Sequence, residues 1–212
     1  MRVALIDYGS GNIASAAKAL ARAGGDAGNP EIVVTADPDA VKKADRIVLP
    51  GVGAFADCMQ GLSAVPGMID VLNESVIKGG KPFLGICVGM QLMATAGREF
   101  GVHKGLNWIE GEVVPVAPAD STLKIPHMGW NEIELVQHHP LLADLEPSAN
   151  AYYVHSFEMK PADGAHLLAT TNYGGHITAA IGRDNLVGTQ FHPEKSQAVG
   201  LKILSNFLTW AP

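Results

Sequence analysis

The residues best suited to chemistry lie in one heptapeptide, Gly85-Ile86-Cys87-Val88-Gly89-Met90-Gln91. The apolar pair Phe83-Leu84 before it reads as a short buried strand, and Met90, Leu92, Met93 and Ala94 behind it carry a helical pattern. A G-x-C-x-G at a strand-to-helix turn is the cysteine form of the nucleophile elbow. Its glycines permit a turn too tight for a Cβ, and the turn lifts the sulfur clear of the backbone. The helix that starts there aims free N–H groups at the sulfur, which lowers a thiol pKa. Cys87 is therefore the candidate nucleophile.

A thiol nucleophile needs a base, and the base needs an orienting partner. Both are available in Gln190-Phe191-His192-Pro193-Glu194-Lys195-Ser196. His192 follows a predicted strand over 186–190, which puts it at a C-terminal strand end, where open α/β sheets hold their ligands. Glu194, two residues on across a stiff proline, can fold back onto the far imidazole nitrogen. A third piece is Pro50-Gly51-Val52-Gly53, at the end of another predicted strand. Gly51 tolerates φ > 0, so the Gly51–Val52 peptide is free to rotate. The N–H groups of Val52 and Val88 would then form a two-donor oxyanion hole, in which losing one donor typically costs about 3–4 kcal/mol. Without Cys87 the loop would read equally well as a plain Pro-Gly turn.

Other candidate sites compete. Gly9-Ser10-Gly11-Asn12-Ile13-Ala14 satisfies the dinucleotide pattern G-x-G-x-x-[GA], with Asp37 roughly where a ribose-binding acid would stand. The same glycines can simply make a tight, well-capped turn. Of the eight histidines, His138 and His139 read as a surface turn, and His103, His166 and His176 have no partner at useful spacing. No pair of cysteines or histidines has structural zinc-site spacing, so no metal is expected. Cys58, in a mixed helical stretch, reads as a small core residue.

The elements that position these residues follow from periodicity. Strands are predicted over 3–6, 31–35, 46–49 and 83–86, with helices over 12–23, 37–44 and 68–77 between them. Near-continuous apolar strands alternating with helices imply a mostly parallel sheet covered on both faces. The second half breaks into short β-like segments at 108–116, 131–136, 151–160, 166–171, 179–181 and 186–190, which suggests antiparallel strands and hairpins grafted onto that sheet. A helix over 199–210 closes the chain, its Leu201, Leu204, Phe207 and Leu208 forming a core stripe. One domain over 1–212 is expected. Composition is that of an ordinary globular protein, 47% hydrophobic and 17% charged, and the formal net charge of −6 argues against nucleic acid as a partner. No apolar run reaches membrane-spanning length and the N-terminus resembles no signal peptide. Two cysteines make no disulfide framework, so a reduced, cytoplasmic setting is expected.

Gly-Ile-Cys-Val-Gly-Met-Gln, Pro-Gly-Val-Gly and Phe-His-Pro-Glu together resemble the class I (triad) glutamine amidotransferases. Asp7-Tyr8-Gly9-Ser10-Gly11-Asn12, Pro126-His127-Met128-Gly129-Trp130-Asn131, Tyr153-Val154-His155-Ser156 and Lys195-Ser196 narrow the resemblance to the glutaminase subunits of imidazole glycerol phosphate synthases. The resemblance implies a three-layer, flavodoxin-like α/β fold, no cofactor, and a Cys87-His192-Glu194 triad acting through a γ-glutamyl thioester on Cys87. It implies that Gly53, Gln91, Ser156 and Phe157 hold glutamine. It also implies that ammonia passes to a (β/α)8-barrel cyclase subunit, with Trp130, Tyr152 and Lys195 at the contact. A core role for Trp130 and charge balance for Lys195 remain the plainer alternatives. Activity in the family is low until the partner's substrate binds, with the loop at 50–53 as the switch. On that basis the Val52 N–H is expected to point away from the substrate at rest. Val88 stands where leucine is more usual, and the turn at Gly174-Gly175-His176 has no parallel.

Overall fold

Strands whose residues are nearly all apolar need cover on both faces, and the computed structural model answers with a layered sheet. It describes residues 1–212, the side chain of Asp26 excepted. In chain order the elements are β1 (Arg2–Ile6), α1 (Ile13–Ala23), β2 (Glu31–Thr35), α2 (Pro38–Lys43), β3 (Arg46–Gly51), α3 (Phe55–Ala64), α4 (Met68–Leu72), β4 (Phe83–Cys87) and α5 (Val88–Gln91). There follow β5 (Ala96–Gly97), β6 (His103–Lys104), β7 (Gly111–Pro115), β8 (His127–Glu132), β9 (Glu134–Leu135), β10 (Asn150–His155) and β11 (Phe157–Pro161). The chain ends with β12 (Leu167–Asn172), β13 (His176–Arg183), β14 (Leu186–Thr189) and α6 (Gln197–Thr209).

The main sheet runs β2-β1-β3-β4-β14-β13-β12-β9. Its first five strands are parallel and its last three antiparallel. The chain moves from β1 outward to β2, then back past β1 to β3. Right-handed crossovers in opposite directions place their helices on opposite faces, so α1 packs with α6 on one side while α2 packs with α4 on the other. Between β1 and β3 the order reverses, the point at which doubly wound sheets open a crevice. Val48, Leu49, Phe83 and Leu84 in the central strands are wholly buried. Each such side chain contributes roughly 1.5–3 kcal/mol of transfer free energy.

Several sequence expectations are corrected. The segment over 186–190 joins the sheet as β14, parallel to β4, so it belongs to the parallel core. The stretch over 151–160 is two strands: β10 pairs with β8 in one small sheet, and β11 pairs with β7 in another. Ser156 is the break between them, where the chain changes sheets. The helix over 68–77 stays α-helical only to Leu72 and widens into a π-turn over Asn73–Lys78. Asp37 is the N-cap of α2, its carboxylate accepting from Asp39 N at 2.9 Å, a role worth about 1 kcal/mol. The Gly174-Gly175 pair closes the β12–β13 hairpin, with φ of 66° and 143°. His176 does have a partner: its Nδ1 lies 2.8 Å from Glu134 Oε2.

Candidate active site

Cys87 ends β4 with φ 54° and ψ −114°, a left-handed backbone on a residue that carries a Cβ. Such a conformation costs about 1–3 kcal/mol and persists only where neighbours enforce it. The flanking glycines do the enforcing by close approach rather than by positive φ. A Cβ on Gly89 would lie 1.8 Å from Leu49 O, and one on Gly85 would lie 2.6 Å from Gly89 O. The one-turn helix α5 is thereby pressed onto the backbones of β3 and β4. It is shorter than the apolar pattern implies. Carbonyls of Leu92, Met93 and Ala94 accept from Leu106, Trp108 and Asn107 N–H respectively, so the segment pairs with the 105–109 loop and leaves the helix. Val88, first in α5, has no intrahelical acceptor for its N–H, which leaves that donor beside the sulfur.

The register aligns Gly51 with Cys87 and Ile86 with Thr189, so the C-terminal ends of β3, β4 and β14 lie side by side. His192 arrives three residues after β14. Its N–H donates to Tyr152 O at 2.9 Å, and its carbonyl accepts from Ser196 Oγ at 2.7 Å, which locks the backbone. His192 Nδ1 meets Glu194 Oε1 at 2.8 Å. The carboxylate accepts from Nδ1–H and orients the ring, which leaves Nε2 as the nitrogen that exchanges a proton with the cavity. Nε2 is buried and takes no standard hydrogen bond from any described group. Burial works to lower the His192 pKa, but the Cys87 sulfur and the Glu194 carboxylate overcome it and raise it to about 10. The site therefore favours the charged, imidazolium form of His192.

The Val52 N–H does not face Cys87. It donates to Ser10 Oγ at 3.0 Å, and the same hydroxyl donates to Val52 O at 2.7 Å. Cys58 Sγ lies 3.2 Å from Ser10 Oγ and also reaches Val52 O at 3.3 Å. These contacts span the crevice between β1 and β3. Gly11 packs there too, since a Cβ on it would lie 3.0 Å from Pro50. Gly11 of that glycine pattern thus seats the loop at 50–53, and Asn12 makes no side-chain cap to α1. Gly51 does not have positive φ. It is needed because a Cβ would meet Gly89 N and the Tyr8 hydroxyl at 2.8 Å each. The positive φ falls on Gly53, at 102°.

Val52, Gly53, Cys87, Val88, Gln91, Ser156, Phe157 and His192 line one cavity of about 300 Å³. The nucleophile, base and pocket residues named from sequence therefore converge. Gln91 Nε2 donates to Phe157 O at 3.1 Å and to Gln190 Oε1 at 3.0 Å, and Gln190 Nε2 approaches Cys87 Sγ at 3.7 Å. Sequence reasoning missed Gln190, although it lies in the quoted Gln190–Ser196 motif. It also missed Glu99, which lines the cavity and accepts from Phe55 N at 2.8 Å. No local pattern marks Glu99. Ser10 and Cys58 were read as turn and core, and only the strand order brings them to Val52.

Trp130, Tyr152 and Lys195 form one surface cluster. The Trp130 and Tyr152 rings meet edge to face at 6.1 Å, and Lys195 Nζ lies 5.6 Å from the Tyr152 ring centre. Trp130 is 50% exposed, which removes the core alternative. Lys195 forms no ion pair among the described residues. Among those residues no group of three His, Cys, Asp or Glu side chains is placed to hold a metal ion. Among the described residues no helix is long and apolar enough to cross a membrane.

Residues 4–210 match the glutamine amidotransferase class-I family. The chain is 60% identical to the imidazole glycerol phosphate synthase subunit HisH of Rhodospirillum rubrum, over all of both chains. It is 56% identical to the HisH subunit of Zymomonas mobilis subsp. mobilis, covering 99% of this chain and 96% of that one. Among solved structures, the glutaminase domain of Trypanosoma brucei CTPS superposes with a TM-score of 0.65 at 16% identity, covering 98% and 93% of the two chains. That likeness supports the fold.

Proposed function

Because this chain belongs to the class I glutamine amidotransferases, and within them to the HisH subunits of imidazole glycerol phosphate synthase, we propose that its cavity hydrolyses glutamine through a Cys87 thioester and hands on the ammonia. The observation that carries the reading is the junction of three strand ends, where Cys87, the His192–Glu194 pair and the loop at 50–53 meet.

Cys87 Sγ attacks the side-chain amide carbon of glutamine. The carbonyl electron pair moves onto oxygen, where the Val88 N–H and a rotated Val52 N–H receive it. His192 gives its Nε2 proton to the departing amine, and the C–N bond breaks to leave ammonia and a γ-glutamyl thioester. His192 then takes a proton from water as it attacks the thioester, which releases glutamate and restores the thiolate. Gln91 Oε1, left without a partner once both its N–H groups are used, and the free oxygen of Glu99 suit the substrate's ammonium. Backbone groups of Gly53, Ser156 and Phe157 complete the pocket.

Released ammonia would enter a (β/α)8-barrel cyclase subunit, which uses it in histidine biosynthesis to make imidazole glycerol phosphate and an aminoimidazole carboxamide ribotide. Trp130, Tyr152 and Lys195 form the docking face, in a cytoplasmic heterodimer. Ser10 holds the resting loop with only one oxyanion donor in place. Binding of the partner's ligand would rotate the Gly51–Val52 peptide and complete the hole. The test is glutamate release from glutamine by the chain alone, and with the cyclase and its ribulosyl ligand, with Cys87→Ser as control. Low activity alone that rises strongly in the loaded complex is expected. Full activity alone would defeat the gating, and silence in every condition would defeat the glutaminase.

A further inference from the structure

Two buried histidines take no part in those steps. His127 and His155 stand opposite each other in the β8–β10 pair, and are 2% and 6% exposed. His127 Nδ1 and His155 Nε2 lie 2.9 Å apart. Hydrogen-bond chemistry places every proton along this line. A carbonyl only accepts, so His155 Nδ1, 2.9 Å from Phe157 O, carries a proton and donates it. Burial lowers the pKa of both rings to about 4, so both are neutral near pH 7. His155 Nε2 is then a bare acceptor, and His127 Nδ1 must donate to it. That leaves His127 Nε2 as an acceptor, which Asn131 Nδ2 serves at 3.2 Å while it also donates to Asn172 O at 2.8 Å. Both rings are held as the Nδ1–H tautomer.

The line continues into the cavity. Phe157 O accepts from His155 and from Gln91, and Gln91 in turn donates to Gln190, whose amide approaches the Cys87 sulfur. Turning the Gln91 amide over would set its oxygen against two acceptors, Phe157 O and Gln190 Oε1. The direction in which Gln91 Oε1 points therefore depends on Phe157 O staying where it is, and His155 ties that carbonyl down. Packing alone does not ask for these bonds. The His127 ring stacks on Tyr153 and Tyr173 at 4.9 and 4.1 Å, which a phenyl ring would also do.

We infer that His127 and His155 are positioning residues for glutamine, forming with Asn131 and Phe157 a ladder that turns the Gln91 amide oxygen toward the substrate. This rests on the cavity being the glutamine site. The test uses the full chain assembled with its cyclase subunit. His127→Phe keeps the stack and removes the ladder, whereas His127→Asn keeps a donor where Nδ1 stands. His127→Phe should raise KM for glutamine about tenfold with kcat within about twofold, the mark of lost uniform binding. His127→Asn should recover most of the KM at equal thermal stability. An unchanged KM in His127→Phe, or an equal rise in both variants, would overturn the inference. Nitrogen-15 NMR of the wild-type imidazoles provides an arm that needs neither variant nor turnover. Nδ1–H on both rings is expected, and Nε2–H on His155 would overturn the ladder. A wild-type protein that shows the tautomers but never turns over glutamine would fault the glutaminase reading alone.

Discussion

Replacing Ser10 with alanine should raise the resting glutaminase rate. The Ser10 hydroxyl makes two bonds to Val52, but only the one it accepts from the Val52 N–H belongs to the peptide that must rotate. Its 2.7 Å bond to Val52 O holds the following peptide. One neutral hydrogen bond contributes about 1 kcal/mol net. Since 1.4 kcal/mol is tenfold, its loss should increase the rotated population about fivefold. The rate of the chain alone should rise by the same factor, because a complete oxyanion hole is needed for the chemical step. In the complex with the partner's ligand bound, the rotated state already dominates, so the rate there should change little. The activation ratio should thus fall about fivefold, read as glutamate release in both conditions. Ser10→Thr, which keeps a hydroxyl, should behave as wild type. A Ser10→Ala protein whose two rates are unchanged, or fall together, would refute the idea that Ser10 holds the resting peptide.

Gly89→Ala should be destabilised by about 3 kcal/mol or more in urea unfolding, since its Cβ would lie 1.8 Å from Leu49 O and both atoms belong to packed backbone. A loss under about 1 kcal/mol would mean that α5 can lift off β3. His192, raised to about 10, stabilises the fold fully below its unfolded value near 6.5, and that contribution is lost as pH rises toward 10. The stability gap between wild type and His192→Asn should therefore narrow over that window, and a widening gap would reverse the assignment of charge. His127 and His155, lowered to about 4, have the opposite sign. Stability should fall as pH drops from about 6.5 to 4, at up to roughly 1.4 kcal/mol per unit for each ring, and His155→Asn should flatten the slope. Trp130→Ala should weaken cyclase binding by about thirtyfold or more by titration calorimetry, the effect of removing an aromatic anchor. An unchanged affinity would move the docking face elsewhere.

The chemistry that depends on residue type at short range was legible along the chain. Cys87 between glycines, and His192 two residues from Glu194, announce themselves because an elbow and an oriented base need those residues at those spacings. The parallel strands β1, β3 and β4 were equally plain, since they carry the unbroken apolar runs that burial on two faces requires. What escaped were contacts made across the sequence: Ser10 with Val52 at a separation of 42 residues, Phe55 with Glu99 at 44, His127 with His155 at 28, Gln190 with Cys87 at 103. Each depends on which strand lies beside which, and no local propensity encodes that order. The length of α5 escaped for a related reason, because distant N–H groups took the carbonyls a longer helix would have used. The sequence by itself determined the candidate nucleophile, its candidate base and the kind of sheet that carries them. Tertiary structure alone decided that the Val52 N–H turns toward Ser10, because a peptide that follows a glycine has no strong preference of its own and takes the direction of the partner that packing provides.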